Sequence, residues 1–314
     1  MGRVGLVFPG QGAQYVGMGL ELCSLYDDVR ERFVQAGEVL GMDVAKLCFE
    51  GPCELLDLTI NTQIAVLTFE MALYALLQKR LPVEPVVMAG HSLGEYAALH
   101  ASGALGFSEV LTLVRARAHR HQDAVAVGEG AMAAVIGLDR AAVEEICRSV
   151  KSDQAWVGIA ILNGPRQVTI SGNTAAVEAA MARASEREGT RAVKLPISVP
   201  CHSPLLLKTA EWFSDDLQKV EFGECRVPVI PNCDPSVFFD RDNIRDLLAR
   251  QIVSPVRWQE TVEKMARMEV DTVVEIGPGR VLSGLIKRIH RKFRLLNVED
   301  PLSLDKTLEA LEAV

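Results

Sequence analysis

The stretch Val86-Val87-Met88-Ala89-Gly90-His91-Ser92-Leu93-Gly94-Glu95-Tyr96-Ala97-Ala98-Leu99 decides how this chain is read. An apolar run, a turn with a glycine two places before and after a serine, and a helix-forming run follow one another, the order of a nucleophile elbow. The glycines let backbone pass close to backbone, and the turn holds the serine in a strained conformation that lifts its hydroxyl above a sheet. The start of the following helix favours negative charge at that point. The bare GxSxG pattern arises by chance in a chain with 24 glycines. Here the flanking strand and helix make Ser92 the residue expected to carry chemistry.

Outward from the elbow, strand-like runs at Val4 to Phe8, Val86 to Ala89, Val227 to Ile230, Thr272 to Ile276 and Leu295 to Val298 alternate with helical patterns. Those helices are expected at Thr62 to Lys79, Ser108 to Gln122, Asn243 to Ile252 and Ser303 to Val314. Such alternation predicts an α/β fold with a mostly parallel sheet. Between Gly130 and Ile197 the rhythm changes. Strands at Ala131 to Leu138, Trp156 to Leu162, Gln167 to Ser171 and Ala192 to Leu195 enclose helices at Arg140 to Val150 and Thr174 to Glu188. That βαββαβ order is ferredoxin-like and predicts a small domain, residues 127–197, inserted into a larger one, residues 1–126 and 198–314. The chain would leave the large domain near Val127 and return near Ser198, with a binding cleft between the two.

The 314 residues are 49% hydrophobic and 24% charged, the composition of a folded protein rather than a disordered one. A formal charge of -8 argues against a nucleic-acid or anionic-membrane surface. An acidic partner would need a local basic patch, for which Lys287, Arg288, Arg291 and Lys292 are candidates. The start, Met1 to Phe8 followed by Pro9-Gly10, is too short for a signal peptide, and no apolar run is expected to approach a membrane span. A cytoplasmic protein is expected. Seven cysteines without CxxC or Cys/His metal spacing predict free thiols, and no metal site.

A serine hydroxyl needs a base, and histidine is the usual one. Of six histidines, His91 adjoins the serine and points away, His100, His119 and His121 fall in helices, and His290 lies in a basic run. His202 alone occupies an irregular segment, Ser198-Val199-Pro200-Cys201-His202-Ser203-Pro204, whose prolines restrict the backbone. The neighbouring Cys201 is read as packing. For a tetrahedral oxyanion, Leu93 offers the backbone N–H after the nucleophile, and the glycine-rich loop Phe8 to Gln14, with Gln11 at its tip, offers a second. On spacing alone that loop reads equally as a tight turn. The run Arg115-Ala116-Arg117-Ala118-His119-Arg120-His121 reads as a solvated helix face unless one arginine turns inward, where it would hold a carboxylate.

Further stretches complete the pattern: FPGQGAQ at 8–14, GHSLGEY at 90–96, GAMAAVIGL at 130–138, NGPRQVTISG at 163–172, SVPCH at 198–202, RQIVSPVRW at 250–258 and EIGPGRVLSGL at 275–285. Together, in this order and over essentially the whole chain, they resemble the malonyl-CoA:acyl carrier protein transacylase family. The resemblance implies a large α/β-hydrolase-like domain with an inserted ferredoxin-like one. It implies a malonyl-Ser92 intermediate, His202 as general base and acid, Arg117 on the malonyl carboxylate, and the N–H groups of Gln11 and Leu93 around the oxyanion. It further implies that main-chain carbonyls near Gln251, rather than an aspartate, hold the histidine, with Asn163 in a supporting place. The substrates would be malonyl-CoA and the phosphopantetheine thiol of acyl carrier protein, with no cofactor, and the chain would act as a monomer in fatty-acid synthesis. SVPCH departs from the family in placing cysteine where serine commonly precedes the histidine. Three alternatives stay open: an acyltransferase of a polyketide assembly line, a thioesterase-like hydrolase, and a silent carrier-protein-binding module.

Overall fold

The computed structural model describes residues 2–126 and 128–313. Its strands are β1 (Val4–Phe8), β2 (Val87–Gly90), β3 (Gly130–Ile136), β4 (Val157–Gly164), β5 (Gln167–Asn173), β6 (Arg191–Lys194), β7 (Val229–Ile230), β8 (Thr272–Ile276) and β9 (Arg294–Val298). Five of them form one sheet in the order β7-β2-β1-β8-β9 with every pairing parallel. A parallel sheet is covered on both faces, which is why β1, β2 and β8 are buried along their whole length, β1 and β2 reading as unbroken apolar runs and β8 burying Thr272 and Glu275 as well. Strand β7 is shorter than its sequence suggests, because Pro228 has no N–H to give a ladder and Val227 lies outside it.

The expectation that no apolar run approaches a membrane span needs correcting. The helix Thr59–Arg80 is long and apolar enough to cross a membrane by length and composition, yet 78% of its most apolar stretch is buried inside the protein. It reads as apolar all round because other elements cover it on nearly every side, so the amphipathic stripe of a surface helix is missing.

The other four strands form a separate antiparallel sheet in the order β4-β5-β3-β6, the spatial order of a ferredoxin-like unit. Helices Arg140–Val150 and Thr174–Ser185 pack on it around a hydrophobic cluster distinct from the main core. The expected point of exit, Val127, lies outside the described residues, as does the C-terminal Val314 of the expected last helix, which runs Pro301–Glu312. A seam runs along the edge of β4: Leu162 donates to the Val256 carbonyl (2.8 Å) and Val256 donates to that of Ala160 (2.9 Å), so that edge is extended by the segment between helices Ile244–Val253 and Trp258–Arg267.

The elbow depends on absent side chains. A Cβ on Gly90 would lie 1.9 Å from the backbone carbon of Gly94, and one on Gly94 would lie 2.1 Å from the Phe8 carbonyl oxygen. Because backbone faces backbone, nothing flexible can yield. Gly90→Ala is therefore expected to destabilise the fold by about 3 kcal/mol or more, read as a lower denaturation midpoint; a midpoint within a degree of the parent would contradict the close approach.

Candidate active site

Strand β2 ends at Gly90, and the chain turns through His91 and Ser92 into the helix Gly94–Ser102. Ser92 has φ 54°, His202 φ 58° and Glu269 φ 59°, the only non-glycine positive values among the described residues. Left-handed backbone costs a side chain about 1–2 kcal/mol, so two of the three strained positions are the two residues that meet. Ser92 Oγ and His202 Nε2 are 2.7 Å apart. The His202 ring is oriented from behind, Nδ1 lying 2.8 Å from the Gln251 carbonyl oxygen. A carbonyl only accepts, so Nδ1 carries the proton and Nε2 presents its lone pair to the serine hydroxyl. The irregular segment is pinned by Ser171 Oγ donating to the Cys201 carbonyl (2.8 Å) and Ser203 Oγ to that of Pro200 (2.6 Å). Burial, and then the nearby Arg117 cation, push the His202 ring down to about 3. Burial pushes the Cys201 thiol up to about 11, which keeps it protonated and unreactive.

Arg117 does not lie on a solvated face. It is 2% exposed. Its terminal nitrogens donate to Gln63 Oε1 (2.7 Å), Gln251 Oε1 (3.0 Å) and Ser92 Oγ (3.3 Å), while Nε has no partner. Among the described residues no carboxylate pairs with it. A buried cation held only by neutral acceptors is costly, and the cost is relieved by an anion brought to it. One turn on, His121 is buried too, its Nδ1 2.8 Å from the Arg117 carbonyl. Arg115 leaves the cluster and donates to the Leu40 carbonyl.

The Leu93 and Gln11 N–H groups have no protein acceptor among the described residues, while the Ser92 N–H between them in the chain is taken by Asn232 Oδ1 at 2.6 Å. The Gln11 side chain donates to Thr59 Oγ1 (3.2 Å), which fixes the loop after β1. Asn163, at the end of β4, places Oδ1 3.0 Å from His91 Nε2, so the elbow histidine points to the antiparallel sheet and away from the dyad. Among the described residues no group of three or more His, Cys, Asp or Glu could hold a metal ion. What the dyad and Arg117 can do together is take a proton from a serine and hold an anionic group beside it.

An acyl transferase domain family matches residues 6–300 of the chain. The malonyl CoA-acyl carrier protein transacylase of Escherichia coli (strain K12) is 41% identical over 309 residues, 98% of this chain and 100% of that protein. That of Bacillus subtilis (strain 168) is 39% identical over 312 residues, 99% of this chain and 98% of its own length.

The chain belongs to the malonyl-CoA:acyl carrier protein transacylase family.

Solved structures of that family superpose over nearly the full length. The transacylase of Coxiella burnetii gives a TM-score of 0.94 at 40% identity, covering 98% of this chain and 97% of its own. A malonyl-transacylase in complex with a type II PKS acyl-carrier protein gives 0.95 at 39% identity, covering 98% and 99%. For a member of the transacylase family, three residues of the site are absent from the reading of the sequence. Gln63 sits in the buried helix Thr59–Arg80, Asn232 follows the two-residue β7, and Glu95 lies inside the elbow stretch itself. Only Glu95 carried a signal, a charged residue heading the otherwise apolar run Tyr96-Ala97-Ala98-Leu99.

Proposed function

We propose that this transacylase moves a malonyl group from malonyl-CoA to the phosphopantetheine thiol of acyl carrier protein through a malonyl ester on Ser92, supplying malonyl units for fatty-acid synthesis. The observation that carries this reading is the buried Arg117 guanidinium, 3.3 Å from Ser92 Oγ and in direct contact with no carboxylate among the described residues. A site for simple acyl groups has no use for such a cation. A dicarboxylic acyl group brings the missing charge.

In the first half-reaction Ser92 Oγ attacks the thioester carbonyl while its proton passes to His202 Nε2. The carbonyl oxygen becomes an oxyanion on the Leu93 and Gln11 N–H groups. As the tetrahedral centre collapses, the C–S bond breaks and His202 returns the proton to the CoA sulfur. In the second half-reaction His202 takes the proton of the carrier thiol, the sulfur attacks the ester, and the proton ends on Ser92 Oγ. Arg117 holds the carboxylate throughout, Asn163 steers His91 away from the dyad, and no cofactor enters the sequence. The segment 127–197 then acts as an inserted unit forming one wall of the cleft. The exposed Lys287, Arg288, Arg291 and Lys292 provide local positive charge for an acidic carrier on a chain of formal charge -8. The reading is of a monomer working in the cytoplasm.

Mass spectrometry after mixing with malonyl-CoA tests this directly. A malonyl adduct on the Ser92 peptide that holo carrier protein removes is expected; no adduct, or one that water clears as fast with carrier as without, overturns transfer.

The pH profile is a second check. His202 is held at about 3 in the free protein, so kcat/KM should show no acid limb from this ring between pH 5 and 8. When a malonyl carboxylate neutralises Arg117, one cause of the depression vanishes and the ring becomes more basic. The acid limb of kcat should therefore lie at higher pH than that of kcat/KM, and coincident limbs would break the link between clamp and base. The same shift has a stability sign. Because the folded ring resists protonation, its contribution is complete above the unfolded value near 6.5 and is lost as pH falls from there towards 3.

A further inference from the structure

Ser92 is held by both of its peptide groups. Its N–H goes to Asn232 Oδ1 (2.6 Å), and Gln251 Nε2 donates to its carbonyl (2.9 Å). The two holders are joined by Glu95, which is fully buried: Asn232 N–H donates to Oε1 and Gln251 Nε2 to Oε2. Asn232 Nδ2 also donates to the Gly90 carbonyl (2.7 Å), so a single side chain grips the elbow on either side of His91. A closed ring results, running Ser92, Asn232, Glu95, Gln251 and back to Ser92. Gln251 carries the ring to the remaining groups, since its carbonyl orients His202 and its Oε1 accepts from Arg117.

The polarity of this ring is forced. Arg117 can only donate, so Gln251 must turn Oε1 towards it and Nε2 towards Ser92 and Glu95. The Asn232 backbone N–H can only donate as well. Position 95 must therefore offer two acceptors side by side, which an ionised carboxylate supplies and a carboxamide does not. A left-handed, non-glycine residue persists only where its surroundings over-determine it, and here this ring supplies the side-chain hydrogen bonds to its backbone.

We propose that Glu95 and Asn232 are positioning residues for the Ser92 chemistry, registering the serine against His202 and Arg117 through its own backbone. Taking up the Ser92 N–H also leaves the oxyanion to Leu93 and Gln11. The proposal rests on Ser92 being the acyl carrier.

The test compares Glu95→Gln and Asn232→Ala with the parent protein, each rate normalised to folded protein by thermal melting and circular dichroism. Glu95→Gln keeps the size and the bond to the Asn232 N–H but sets an amide donor against the Gln251 amide. Both variants should lose ten- to hundredfold in kcat, the penalty of a misplacement near 1 Å, with KM for malonyl-CoA within about threefold because Arg117 keeps Gln63. Labelling by a neutral fluorophosphonate, which reports the serine and histidine without any carboxylate, should slow by the same factor. Parent-like kcat and labelling in folded variants overturn the proposal, and so does a change in KM alone. If Asn232→Ala fails to fold, Glu95→Gln decides. If the parent is labelled at Ser92 by the fluorophosphonate yet takes no malonyl group, the malonyl reading fails, and the relative labelling rates of the variants still decide the positioning role.

Discussion

Ser92→Ala should abolish malonyl transfer, with kcat/KM falling by about ten-thousandfold or more and no acyl adduct on any peptide. The size follows from what the hydroxyl does. Both half-reactions pass through its ester, and removing a nucleophile that works as a unit with its base costs as much as removing the pair. Alanine keeps the Cβ that the φ of 54° already accommodates, and the bonds of the ring to the Ser92 position go to its backbone, so the variant should fold. Its melting temperature is the control. Persistent covalent labelling by malonyl-CoA in the folded variant would move the chemistry to another nucleophile. Cys201 is the nearest in sequence to the base, but its buried thiol, raised to about 11, gives almost no thiolate at neutral pH.

Arg117→Ala should cost malonyl transfer about 100- to 1,000-fold while acetyl transfer changes less than about tenfold. Two charge-assisted hydrogen bonds to a carboxylate contribute about 1.5–3 kcal/mol each, and relief of the buried cation returns part of that, leaving about 3–4 kcal/mol, with 1.4 kcal/mol per factor of ten. The residues left behind, Gln63 and Gln251, lose a donor but stay neutral. Steady-state comparison of malonyl-CoA with acetyl-CoA reads the difference directly. Equal losses for both substrates would make Arg117 a structural support for Ser92 Oγ and remove it from acyl selection.

What could be read from the chain follows a physical divide. The elbow is largely local: strand, turn and helix are adjacent in sequence, and the demand for Gly90 is one of backbone on backbone within five residues, whereas that for Gly94 comes from the Phe8 carbonyl on the neighbouring strand. Helix Arg140–Val150 is likewise found where expected, because Asp139 caps it by accepting from the Ala142 N–H (2.9 Å) and its apolar stripe keeps helical spacing. Without the family resemblance, which names it, Arg117 was legible only as an alternative, since nothing in a run of three arginines and two histidines tells which one turns inward. That is settled by the packing of helix Phe107–Gln122 against the buried helix Thr59–Arg80, which also brings Gln63 to it. Asn232 and Gln251 lie more than a hundred residues from the serine they hold, and a glutamine acting through both its carbonyl and its side chain has no spacing to betray it.

The seam at Val256 has a mechanical meaning. The segment that extends the edge of β4 leaves the helix whose Gln251 carbonyl aims the His202 ring, only a few residues further along. Any rocking of the antiparallel sheet would therefore be transmitted to the base as a tilt of its ring, and a tilt breaks a 2.7 Å contact. The base is thus tied to the edge of β4 over a few residues of one segment, so its ring cannot be displaced without disturbing the antiparallel sheet beside it.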